Sequence, residues 1–123
     1  MKQSVLMILC LFLSVYIQAT DITSVANAFK AGKAATLTAA MDQEVDIAVP
    51  GTSKKGNAKE ATTILNSFFE KNKPTGFSVV HHADKKENGF FVGKLPTGGG
   101  EFRVNVTYRV DGDKVLIQSI RIE

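Results

Sequence analysis

The chain has 123 residues, with 15 Lys or Arg against 12 Asp or Glu, a formal charge of +3 and 44% hydrophobic residues. That length and apolar content suit a single globular domain. The charge is mild and its basic residues are scattered, apart from Lys54-Lys55 and Lys85-Lys86, so the basic stripe with interleaved aromatics that marks a nucleic-acid binder is missing.

The chain opens with "MKQSVLMILCLFLSVYIQATD". Lys2 precedes an almost unbroken apolar run from Val5 to Ile17, and the small residue Ala19 follows. That order predicts a secretory signal peptide over 1–19, cut after Ala19. The run is short of the roughly 20 apolar residues of a membrane span, so none is expected after cleavage. Leu9, not a small residue, precedes Cys10, which argues against lipidation. The domain is then 20–123, exported to the periplasm or beyond. Cys10 is the single cysteine. Its loss leaves no disulfide, thiol nucleophile or cysteine metal ligand. Loss of Lys2 lowers the formal charge from +3 to +2.

Asp21 can cap a helix through "ITSVANAFKAG", in which Ile22, Val25, Ala26 and Phe29 recur at helical spacing and Gly32 supplies the stop. "KAATLTAAM" predicts a second short helix with Ala34, Leu37, Ala40 and Met41 on one face. The period then changes to two. Val45, Ile47 and Val49 point one way in a strand ended by Pro50-Gly51, and "TSKKG" reads as a polar loop. Asn57 and Glu60 form a capping box for a helix whose buried face is Ala58, Ala61, Leu65 and Phe68. Asn72 and Pro74 close it. Four strands follow, at Phe77–Asp84, Gly89–Leu95, Phe102–Val110 and Lys114–Ile122. The turn signals "DKKENG", "PTGGG" and "DGD" separate them. The fold class is therefore α+β: a helix pair, a strand, a helix, then four antiparallel strands whose apolar face is covered by the helices.

Five segments in this order, "ANAFKAG", "EVDIAVPG", "FSVVHHADK", "FVGKLPTGGGEFRVNV" and "LIQSIRIE", resemble the secreted bacterial proteins of domain-of-unknown-function family 4783. The resemblance spans nearly the whole of 20–123. It implies the nuclear-transport-factor-2-like, cystatin-like fold, a curved sheet wrapped on helices as a cone, and export from a Gram-negative cell. It implies no activity. The fold hosts enzymes, carriers and dimerisation modules, so it does not decide function.

Candidate sites follow from which polar residues face inward. Strict alternation sends His81 and His82 to opposite faces, with His81 beside Phe77, Val79 and Ala83 on the more apolar, inner side. The pair is then a poor metal site, and no further ligand has the spacing for one. His81 is left as a pocket imidazole, weighed against an ordinary core-rim histidine. On the last strand Leu116, Gln118, Ile120 and Ile122 form one face, which makes Gln118 an inward amide. Tyr108 brings an inward hydroxyl. His81, Tyr108 and Gln118 are thus the candidate ligand-binding groups, and no inward carboxylate accompanies them. On the outer face Arg103, Asn105, Thr107 and Arg109 form a polar ladder, extended by Arg121 and Ser119. Arg103, Arg109 and Arg121 are candidate anion or partner contacts, against the reading of a solvated face. The expected role is non-catalytic: binding a small apolar or amphipathic ligand, or a protein partner. The alternatives are an enzyme with His81 as acid or base, or a homodimer through the sheet. No cofactor or metal is expected.

Overall fold

The computed structural model of the protein describes residues 22–84, 87–112 and 114–123. The expected leader over 1–19, the Asp21 cap and the Lys85-Lys86 pair lie outside them. Helix α1 occupies 22–31 and α2 Ala34–Ala39. Gly32 separates them at φ +68°, in the left-handed region that stops a helix. There the Lys33 N–H donates to the Ala28 carbonyl at 3.0 Å, which satisfies a backbone group at the helix end.

Strand β1 runs Met41–Val49, so Met41 begins a strand rather than ending the second helix, while remaining buried. Pro50 and Gly51 do not merely stop β1. They form a two-residue turn, with Gly51 at φ +88°, into strand β2, Thr52–Gly56. The segment expected to be a polar loop is thus an edge strand, exposed along nearly its whole length and carrying Lys54 and Lys55. Lysines on a short edge strand discourage further strand pairing. Lys54 also bonds Glu60 at 2.8 Å and so ties β2 to the next helix.

Helix α3, Ala58–Lys71, starts on the expected capping box. The Glu60 N–H donates to Asn57 Oδ1 at 2.9 Å, and the Asn57 N–H to Glu60 Oε1 at 3.0 Å. Ala61, Leu65, Phe68 and Phe69 are its buried residues. Strands β3 (Ser78–Asp84), β4 (Asn88–Thr97), β5 (Gly100–Asp111) and β6 (Lys114–Ile122) complete the chain. The six strands form one curved, unclosed sheet in the order β2-β1-β6-β5-β4-β3. The β1–β6 contact is parallel and the other pairs are antiparallel.

One face of the sheet packs on the helices. Phe91 and Leu95 of β4, Val104, Val106 and Tyr108 of β5, and Ile117, Ile120 and Ile122 of β6 are buried there with Phe29, Leu37 and Leu65. Two glycines make room for aromatic rings on this face. The Phe77 ring lies over Gly93, where a Cβ would come within 2.2 Å of it, and Tyr108 lies over Gly89, with its hydroxyl 2.6 Å from the corresponding position. Phe77 is held between Phe29, stacked at 5.2 Å, and Phe91, edge-on at 6.3 Å. A ring held on both sides cannot swing clear of a methyl group. We therefore expect Gly93→Ala to lower stability by about 1–3 kcal/mol through overpacking. The readout is a fall in the urea midpoint at unchanged slope. The penalty should shrink in a Phe77→Leu background. An equal penalty in both backgrounds would show that the ring is not the obstacle.

Candidate functional site

The residues expected to converge on one pocket are dispersed, and β-bulges account for two of the three. In β3 the register runs Val79↔Gly93 and then His81↔Val92, so Val80 is an extra residue with no partner. One inserted residue exchanges the two faces of everything beyond it. His82 comes opposite Phe91, on the helix-covered side, and His81 opposite Val92, on the open side with its ring 5.6 Å from Phe90. The inward assignment of His81 and the outward one of His82 are therefore both reversed, and both residues are exposed.

The second bulge lies in β6. Pairing runs Tyr108↔Ile117 and then Thr107↔Ser119, which leaves Gln118 extra. Ile117 is fully buried, Leu116 shares the open face with Arg109, and Gln118 is exposed. Gln118 is not an inward amide. Of the three candidates only Tyr108 is buried on the helix-covered face, as expected.

The outer polar ladder is present. Asn105 pairs with Arg121 and Thr107 with Ser119, whose hydroxyls hydrogen-bond, and Asp46 of β1 pairs with Ser119. The three arginines differ within it. Arg109 is engaged by Asp42, with Nε donating to Oδ2 at 2.6 Å and an Nη to Oδ1 at 3.2 Å. This clip reaches from β5 to β1 across the bulged strand β6 that lies between them. Asp42 has no counterpart in the sequence reading. Its side chain is 15% exposed against 41% for Arg109. The Arg109 hydrogen bond and then the Gln43 N–H hold its carboxyl below the usual carboxylate range, with a smaller contribution from Gln118. The Arg103 and Arg121 side chains make no ion pair or hydrogen bond among the described residues.

On the open face a groove of about 550 Å³ crosses β3, β4 and β5. Val80, His81 and Val92 line it, with Lys94, Arg103, Glu101 and Glu123 as its charged groups. That volume falls within the range of small-molecule sites. Of the large hydrophobic residues exposed among the described residues, Val80 at 54% lines it and Phe90 at 36% shares its face, whereas Val79 at 37% pairs with Gly93 on the helix-covered side. A second depression of about 520 Å³ shares Glu123 and is lined by Arg121, Ala48 and Pro50. A third, of about 340 Å³, lies between the β1–β2 hairpin and α3. None of the three is lined by Tyr108, Gln118 or His82. Among the described residues no group of three or more His, Cys, Asp or Glu could hold a metal ion, and no helix is long and apolar enough to cross a membrane.

An α+β fold with a curved, unclosed sheet on one helical layer, and an open face that carries a groove, defines a nuclear-transport-factor-2-like domain. The chain belongs to the domain-of-unknown-function family DUF4783, whose model matches residues 22–123. A DUF4783 protein of known structure from Bacteroides ovatus is 36% identical, with a TM-score of 0.75 over 80% of this chain and 90% of that one. A second, from Bacteroides uniformis, is 33% identical, with a TM-score of 0.78 over 82% and 94%. The fold likeness extends to an NTF2-like protein of unknown function from Cytophaga hutchinsonii, at 7% identity and a TM-score of 0.59 over 86% and 88%. A comparison with curated proteins gives no match.

The Asp42–Arg109 clip makes a pH prediction. A carboxyl whose pKa is lowered on folding stabilises the fold above its unfolded pKa, near 3.9, and that contribution is lost as pH falls through the folded value. Asp42→Asn should therefore reduce stability at neutral pH and flatten the acid limb of the stability profile, measured by urea unfolding from pH 7 downward. Glu60, also lowered, first by Lys54 and then by the Asn57 N–H, should leave a residual slope that Glu60→Gln removes. An unchanged acid limb in Asp42→Asn would contradict the clip.

Proposed function

We propose that the protein is a non-catalytic binding module that works through the open sheet face rather than through the interior of the cone. The observation that carries this reading is the groove floored by Val80 and Val92 and rimmed by charge. Exposed apolar surface next to a concavity is costly to leave bare and favours an occupant. The interior offers less support. Aromatic rings fill the space over Gly93 and Gly89, and the polar groups expected to converge there do not.

A second reading, association of two copies through the same face, draws on the exposed Val80 and Phe90. The two edges of the sheet differ in the same sense: β2 carries Lys54 and Lys55, whereas β3 presents two valines. Both readings use one surface and differ in stoichiometry.

Titration of the isotope-labelled protein with N-phenyl-1-naphthylamine, an uncharged apolar fluorescent probe, tests the surface. Amide shifts should centre on Val80, Val92, Lys94 and Arg103. Val80→Asp, a change at an exposed position, should weaken binding at least about threefold. Shifts centred on Tyr108 and Ile117 would return the site to the cone and overturn the reading. Sedimentation over a hundredfold concentration range separates the two stoichiometries.

A further inference from the structure

The charges around the groove are arranged in a way that selects a ligand. Lys94 of β4 pairs directly with Arg103 of β5, and Arg103 exchanges both backbone hydrogen bonds with Glu123, at 2.7 and 2.9 Å. Glu123, Arg103 and Lys94 thus form one row across three strands. Glu101 precedes Arg103 by two residues, so the two share the open face. All four line the groove, yet none of their side chains makes an ion pair or hydrogen bond among the described residues. Two cations stand directly opposite each other, a cross-strand arrangement that is unfavourable until an anion joins them. Acids flank them, which disfavours a ligand carrying negative charge alone. The floor beside the row is apolar, at Val80 and Val92.

Resting on the groove as the binding surface, we infer that its ligand is a short apolar peptide with both termini free. The carboxylate meets Lys94 and Arg103, the ammonium meets Glu101 or Glu123, and the apolar side chains lie on Val80 and Val92. The dimensions agree. Strands are spaced by about 4.8 Å, so Glu123 and Lys94 stand roughly 10 Å apart, which is about three residues of extended chain. A plain anion would be repelled by the two acids. A nucleic acid would need a cationic track that the row does not supply.

The test is calorimetric and NMR titration of the full protein with the tripeptide Leu-Ala-Leu, with its N-acetylated, its C-amidated and its doubly capped forms. We expect the free peptide to shift Lys94, Arg103 and Glu101. Each cap should weaken binding about threefold, the effect of one solvent-exposed ion pair, and both together about tenfold. In Arg103→Gln/Lys94→Gln amidation should have no further effect. In Glu101→Gln/Glu123→Gln acetylation should have none. These positions are exposed, so the variants should fold. Equal binding of the doubly capped and free peptides would overturn the inference and leave the groove reading standing. So would binding of the fluorescent probe without the peptide. Binding of neither overturns both.

Discussion

The structure depends on two extra residues. A sheet that packs on helices must present an unbroken apolar face, and strict alternation along β3 and β6 does not provide one. In β6, regular alternation would put Gln118 inside and leave Ile117 outside. The bulge at Gln118 returns Ile117 to the core opposite Tyr108 and moves the amide to solvent. In β3, the bulge at Val80 brings His82 opposite Phe91 and leaves His81 beside the open-face groove. The Asp42–Arg109 clip spans the bulged strand β6 and joins the strands on either side of it, so a local irregularity in the hydrogen-bond ladder is bridged by a bidentate ion pair.

Most of the architecture is legible in the residues. The capping box at Asn57 and Glu60, the stop at Gly32, the buried face of α3 and the period-two pattern of β5 all follow from local chemistry, and each is present. β2 was hidden because "TSKKG" has loop composition. Its strand conformation comes from the Pro50-Gly51 turn and from pairing with β1, both non-local to those five residues. The faces of β3 and β6 were misassigned for a related reason. A bulge leaves no compositional mark, and Val80 and Gln118 are ordinary strand residues. The apolar pattern of β6 held a clue, since Val115 and Ile117 alternate in one phase and Ile120 and Ile122 in the other. That change of phase is the bulge.

The same irregularities decide where function can reside. Groups that would have formed an interior polar site under perfect alternation are split between the interior (Tyr108), the open face beside the clip (Gln118) and the groove (His81). Among the described residues the side chains of Arg103 and Arg121 on the open face make no ion pair or hydrogen bond, and Val80 and Phe90 are exposed there. Membership of DUF4783 and the nuclear-transport-factor-2-like fold fix the scaffold, and the fold alone does not decide function. Binding through the open face is the reading that the distribution of unpaired charge and exposed hydrophobic area supports.

Solvent paramagnetic relaxation enhancement, with a soluble gadolinium chelate and an assigned spectrum, tests the bulge at Gln118 most directly. Strong broadening of the Gln118 side-chain amide is expected, and none of the Ile117 methyl groups. Protection of Gln118 together with broadening of Ile117 would mean that β6 alternates without a bulge, and that Gln118, not Ile117, faces the core.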